Sequence, residues 1–303
     1  MVAVVTQPAR PAGRGHGLVA SPVNEAAAAR GLRVITPVAL RAFAAEARSY
    51  GADAFVVASY GRIVPQALLD IVPIAFNLHP SLLPLYRGAT PLQSAIRDGR
   101  RETGVTIIAM DAGMDTGDVV LRERAPIGPD ETYGELHDRL ARRAAEMLVA
   151  ALEQYGAGTL ERIPQDRIAA QDGISSTEIA ATATHPLGKD DLRIDWNAPR
   201  RHVIDSVRAL APRPLARTDF DALGALKIAA VRAVDARDPA AEPHPAVPGP
   251  FVRNGKHPFF GALCGDGEVV AIERVVATGR SPASGEDFAR SWSGRRLRQA
   301  SAP

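Results

Sequence analysis

The strongest constraint on this chain is an alternation in its first half, where short β-branched runs are separated by stretches with helical spacing. Val2–Thr6 and Leu32–Ile35 read as short strands, and Leu40–Tyr50 reads as a helix closed by Gly51. Ala54–Ala58, Ile74–Leu78 and Gly104–Met110 are β-rich runs with the continuous character of strands covered on both faces. Thr132, with Glu135 three residues later, forms a capping box that opens a long helix. Leu136, Leu140, Met147, Leu148, Ala151 and Leu152 give that helix one apolar face, and Gly156 ends it. Strands alternating with helices predict an α/β fold with a parallel sheet.

The second half reads differently. Residues 160–190 show no sustained period and carry Gln165, Gln171, Gly173 and the Ser175-Ser176 pair, which predicts a partly ordered connector. Arg200–Leu210 has a helical pattern that stops at Ala211-Pro212-Arg213-Pro214. Leu226–Val231, Phe259–Leu263 and Glu268–Val276 are short β-like runs set apart by Gly, Pro and Asp, including the proline-rich Pro239–Pro250. That is the pattern of a small β-barrel or sandwich. A length of 303 residues agrees with two such parts. The expected division is 1–160, a linker over 161–190, and 191–303.

Composition removes several classes. One cysteine, Cys264, cannot form an internal bridge, and a reducing compartment fits. No apolar run approaches the ~18 residues of a membrane span. Gln7-Pro8 follows the first strand too soon for a secretory signal of ~7–15 apolar residues. A cytoplasmic protein without membrane contact is expected. From Arg193 onward there are 17 basic against 12 acidic residues, whereas the preceding part has 19 against 22. The asymmetry fits an anionic partner for the C-terminal part, and it also fits chance variation in composition.

Gly15-His16-Gly17-Leu18-Val19-Ala20 matches the G-x-G-x-x-A dinucleotide fingerprint, but it lies nine residues after the first strand and Pro22 interrupts the helix that should follow. A basic, glycine-rich loop is the better reading. The seven histidines are scattered singly, so no metal site is expected. The informative stretch is Phe76–Gly88, which follows a predicted strand and places Asn77 and His79 on one side of it. A second loop, Met110–Asp118, brings carboxylates and glycines to the same edge. Asn, His and Asp together suit acyl transfer to an amine: Asn and imidazolium stabilise an oxyanion, and Asp holds the charge and helps move protons. The same spacing also suits a buried histidine bonded to backbone beside an Asp-Gly turn.

Asn77-x-His79-Pro80-Ser81-Leu82-Leu83-Pro84, with Asp115 downstream, resembles the signature of the 10-formyltetrahydrofolate-dependent formyltransferases. The run through Tyr86-Arg87-Gly88-Ala89-Thr90-Pro91, the segment Thr6–Gly15, Glu102–Thr106, Met110–Asp118 and Arg193–Trp196 resemble the members that act on methionyl-tRNA. The likeness runs from Val4 to about Ile228. It implies a Rossmann-like parallel-sheet domain followed by a smaller OB-like β-barrel domain. It also implies formyl transfer from 10-formyltetrahydrofolate to initiator methionyl-tRNA, without a covalent enzyme intermediate, by a monomer. By this resemblance Asn77, His79 and Asp115 are catalytic, Asp115 supporting a protonated His79. Tyr60, Gly61, Arg62, Ile63, Ser81, Leu82, Leu83, Pro84 and Asp111 would bind the folate, and Arg10, Arg14 and Arg87 the tRNA.

Four features depart from the family pattern. Family members begin with a further strand and helix carrying a Gly-Thr-Pro turn; this chain starts at what resembles their second strand, and a misplaced start is expected over a crippled sheet. The basic pair after the Gly-Arg-Gly loop is here His16-Gly17, which lowers the expected tRNA affinity. An Asn-Pro-Trp-Pro-Gly turn is here Ala211-Pro212-Arg213-Pro214-Leu215, and the barrel beyond Val234 matches poorly. Two alternatives remain: an amino-sugar nucleotide as acceptor with the same triad, and an inactive RNA-binding remnant.

Overall fold

Local capping chemistry sets where several of the helices begin. A computed structural model describes residues 1–12, 17–220, 224–235, 246–253, 258–277 and 279–291. They form two compact units. One is Met1–Arg87, Val105–Glu123 and Ala144–Ala181; the other is Gly88–Gly104, Arg124–Arg143 and Thr182–Pro303.

In the first unit β1 (Val4–Val5) leads to the hairpin β2 (Arg10–Ala12) and β3 (Gly17–Val19). Helix α1 (Pro22–Ala28) follows. Pro22 opens this helix instead of breaking it, because Ser21 caps the end by accepting the Asn24 N–H at 3.1 Å. Then come β4 (Val34–Ile35), α2 (Leu40–Arg48), β5 (Phe55–Ala58) and α3 (Gln66–Leu69). Phe43 and Ala47, four apart on α2, pack with Leu68, Val5, Ile35 and Phe55. β1 pairs in parallel with β4, and these two make a sheet of their own.

A second sheet carries β5, then β6 (Ala75–His79), β7 (Glu102–Ala109) and β8 (Asp118–Pro126), in that order. β5 and β6 are parallel, but β6 and β7 are antiparallel, with Phe76 opposite Ala109 and His79 opposite Thr106. The sheet is therefore mixed, where the alternation of elements predicts a parallel one. Apolar run length reports how deeply a strand is covered and carries no information about its direction. Helix α4 (Pro91–Arg97) lies between β6 and β7 in sequence, and α5 (Tyr133–Gly156) follows β8. The capping box holds: Glu135 Oε2 accepts the Thr132 N–H at 2.9 Å, and Thr132 Oγ1 accepts the Glu135 N–H at 3.4 Å. Leu136, Leu140, Met147 and Ala151 are all buried.

The stretch predicted as a connector carries two helices, α6 (Gln165–Asp172) and α7 (Ser176–Ala181). Ile168 of α6 packs with Leu83, Ile108 and Val119.

In the second unit, α8 (Arg200–Ala209) precedes an antiparallel sheet of β9 (Ala216–Phe220), β10 (Gly224–Ala233), β11 (Gly249–Arg253), β12 (Phe259–Leu263) and β13 (Val269–Ala277). The order is β11-β12-β13-β10-β9, with β14 (Ala283–Ser284) on β13 and α9 (Gly285–Ser291) after it. The sheet is a curled half-barrel, in keeping with the small barrel domain expected. Val203, Val207 and Leu210 of the α8 segment join Leu226, Ile228, Phe260, Ile272 and Phe288 in one core. Among the described residues no helix is long and apolar enough to cross a membrane.

Candidate active site

Asn77 and His79 sit two apart on β6 and share one face of the strand. Because β7 runs antiparallel, its end lies beside the start of β6, where the Met110 N–H bonds to the Ala75 carbonyl at 2.7 Å. Asp115 reaches the two side chains because residues 110–117 fold back, and not because two parallel strands end at one edge. Gly117 closes that loop so tightly that a Cβ would strike the Ala109 carbonyl, so only glycine fits there. The Asp111 carboxylate braces the loop from within, accepting the Gly113 N–H at 3.0 Å and the Thr116 hydroxyl at 2.7 Å.

Asp115 is in the left-handed region at φ 55°, and its side chain is only 15% exposed. Oδ1 accepts Asn77 Nδ2 at 3.2 Å, and Oδ2 lies 3.6 Å from His79 Nδ1. The second distance is too long for a hydrogen bond, and it becomes a charge pair only when the ring is protonated. His79 is 4% exposed, and its Nε2 is 2.8 Å from the Tyr86 carbonyl. A carbonyl can only accept, so Nε2 carries a proton and Nδ1 turns toward Asp115. Burial pushes the His79 pKa below the ordinary histidine value; the Asp115 carboxylate and the Tyr86 carbonyl act against this, and the Arg87 guanidinium adds to it. At neutral pH the resting imidazole is therefore neutral, with Nδ1 open to a proton. The resemblance instead implied a His79 held charged by Asp115; here desolvation outweighs that carboxylate.

The other predicted residues fall into three groups. Ser81 and Leu83 have no exposed surface, Leu82 and Pro84 are buried, and the Ser81 hydroxyl donates to the Leu85 carbonyl at 2.7 Å. Thr106 Oγ1 donates to the Ser81 carbonyl at 2.6 Å and accepts the Leu83 N–H at 3.2 Å. These side chains build the turn behind His79. Tyr60, Gly61, Arg62 and Ile63 follow β5 after Ser59, another left-handed residue at φ 47°. The Tyr60 carbonyl accepts Gln7 Nε2 at 2.8 Å, while its buried hydroxyl has no partner; Ile63 and Met114 are 80% and 62% exposed. A buried phenol without a partner is a polar group that a ligand could satisfy.

Of the basic residues, Arg10 is exposed on β2 and bonds to Gln7, and Arg14 lies outside the described residues. Arg87 is half-buried and donates through Nε and Nη2 to Gln165 Oε1, at 3.1 and 2.7 Å. Gln165 is a residue that the sequence reading passes over. It is 5% exposed, and its Nε2 donates to the carbonyls of Asp115 and Gly117, each at 2.8 Å. The one sequence signal for it is its place directly after Pro164, where a helix opens.

Residues 1–152 match the formyl transferase family, and residues 186–293 match the formyl transferase C-terminal domain. A methionyl-tRNA formyltransferase of Symbiobacterium thermophilum is 41% identical over 291 residues, which is 95% of this chain and 84% of that protein. One from Gluconobacter oxydans is 40% identical over 294 residues, covering 96% and 88%. Among solved structures, HypX from Aquifex aeolicus in complex with tetrahydrofolic acid superposes with a TM-score of 0.61 at 19% identity, over 88% of this chain and 43% of that one. An N-formyltransferase from Helicobacter canadensis, in complex with folinic acid and dTDP-3-aminofucose, gives 0.59 at 17% identity over 84% of each. At those identities the structures bear on the fold alone.

Proposed function

The chain belongs to the formyl transferase family, among its methionyl-tRNA formyltransferases, and from that premise we propose that it moves a formyl group from 10-formyltetrahydrofolate to the α-amino group of initiator methionyl-tRNA. The observation that carries the reading is the cluster of Asn77, His79 and Asp115 on β6 and the folded-back loop. The bond formed joins the formyl carbon to the acceptor amine, and the bond broken joins it to the donor nitrogen. The folate donor supplies an activated formyl group. Asn77 offers an amide N–H to the formyl oxygen as negative charge develops there. His79 Nδ1 takes up a proton as the amine is acylated, and the imidazolium then has Asp115 beside it to offset the charge. That proton returns to the departing nitrogen, so protons balance over the turnover.

The segment Tyr60–Ile63 and the loop braced by Asp111 make up the folate side of this reading, with the buried turn Ser81–Pro84 shaping the site behind His79; the unpartnered Tyr60 hydroxyl supports it. Arg10 and Arg14 would meet phosphate. Arg87 serves the same end from a fixed position. The basic C-terminal part agrees, since phosphate contacts dominate nucleic-acid affinity and weaken with salt. In this reading residues 1–160 together with helix α6 carry the chemistry, 191–303 hold the acceptor stem, and the protein acts as a cytoplasmic monomer.

The test is formyl transfer by the purified 303-residue chain from 10-formyltetrahydrofolate to charged initiator tRNA, with an amino-sugar nucleotide in a parallel reaction. Transfer to the tRNA alone is expected. Transfer to the sugar alone overturns the choice of acceptor, and transfer to neither leaves an RNA-binding remnant.

A further inference from the structure

Gln165 uses its whole amide. Two protons go to the carbonyls of Asp115 and Gly117, and its oxygen takes both the Nε and Nη2 protons of Arg87. The orientation is forced, because carbonyls cannot donate and a guanidinium cannot accept. A side chain 5% exposed with every donor and acceptor satisfied has one place to sit. The two loops it joins are the ones that hold the two partners of His79. Asp115 faces Nδ1, and Tyr86, whose carbonyl fixes Nε2, is the neighbour of Arg87. Both Asp115 and Tyr86 have left-handed backbones, at φ 55° and 58°, which side chains other than glycine hold only when their surroundings over-determine them.

We propose that Gln165 is a positioning residue of the transfer reaction: its amide holds Asp115 in the left-handed conformation that presents the carboxylate to Asn77 and His79, and ties Arg87 beside them. This role rests on the reading of Asn77, His79 and Asp115 as the reacting groups. The helix α6 that carries Gln165 is thereby part of the active site, although it lies in the stretch expected to connect two domains. Ile168, three residues on, packs with Leu83 and Ile108 and anchors the helix that aims the amide.

Two variants separate positioning from packing. Gln165→Met keeps length and apolar volume and removes all four hydrogen bonds. Gln165→Glu still accepts from Arg87 but turns a carboxylate toward two carbonyls. Both are expected to lower kcat by about 10- to 100-fold while the KM for each substrate stays within about threefold, because the reacting groups are displaced and substrate contacts are not. Gln165→Asn, which keeps the donors on a shorter stem, should recover part of the loss; it also serves as the variant if the other two fail to fold. A kcat within about twofold of wild type in the Met variant, or a Glu variant as fast as wild type, overturns the role.

A second readout does not depend on turnover: titration of the His79 imidazole, followed by NMR in the full chain. The midpoint should move in the Met variant and stay in place in a surface control such as Val149→Ala. An unmoved midpoint defeats the positioning role even if the wild-type chain formylates no acceptor. A moved midpoint in an inactive chain would place the failure in the functional reading alone.

Discussion

The strands on which Asn77 and His79 depend and the strands that precede them in the same unit are built to different standards. β6 lies between β5 and β7, and Phe76, Ile107 and Ile108 are at most 2% exposed. Among the described residues β5 pairs with β6 on one side only, and β1 with β4 on one side only. Along β5 the residues alternate between half-buried and exposed, and Val56 is 45% exposed. In parallel pairing alternate residues turn toward a given neighbour. The Val4 amide bonds to the Arg33 carbonyl, that of Thr6 to the Ile35 carbonyl and that of Phe55 to the Ile74 carbonyl, so those of Val5 and Val56 turn away. Asn77 and His79 thus rest on a strand with two neighbours, and the segment proposed for the folate, Tyr60–Ile63, extends from an edge. Positional accuracy within ~0.5 Å is what a transferring centre needs, and a packed interior strand supplies it better than an edge.

Four measurements can break or sharpen this contrast. The largest effect is expected from Phe76→Ala, which removes a fully buried ring lying edge-on to Tyr155 at 6.1 Å and should cost about 3–5 kcal/mol in urea unfolding. Val56→Ala on β5 should cost less than about 1 kcal/mol, and equal costs would remove the contrast. Next, His79→Ala and Asp115→Asn should each lower kcat by at least about 10²-fold with tRNA binding retained; near-normal turnover in either would take that residue out of the mechanism. Third, the amides of Val5 and Val56 should exchange with deuterium at least about tenfold faster than those of Phe76 and Ile107. Uniform protection would show that the edge strands are held as firmly as the interior ones.

The smallest effect concerns pH. Burial lowers the His79 pKa in the folded chain, so the unfolded chain binds more protons there, and stability should fall as pH drops below the unfolded value of about 6.5 and level off under the folded value. His79→Asn should flatten that part of the melting profile. An unchanged slope would mean that other groups set it.

Much of this was legible in the chain itself. Strand and helix positions in the first half follow from periodicity, because burial on one or both faces is written into neighbouring residues. The Thr132–Glu135 cap forms as spaced, for the same local reason. Asn77 and His79 declare themselves by being two apart on a strand. Strand direction was not legible, since β7 could run either way with the same apolar residues. Pro22 misleads in isolation, because the Ser21 cap converts a helix breaker into a helix start.

The amino-acid sequence by itself determined the element pattern, the candidate reacting groups and the family to which the chain belongs, since each of these is carried by residues close together or by motifs that survive as strings. Tertiary structure decided how the folded-back loop brings Asp115 to Asn77 and His79, that burial lowers the His79 pKa, and that the Gln165 amide bonds to both loops around them. Each of these depends on residues far apart in the chain, with a sequence separation of 38 from Asn77 to Asp115 and of 78 from Arg87 to Gln165. A hydrogen bond across such a separation exists only after the chain has closed the intervening loops, and no local period records it.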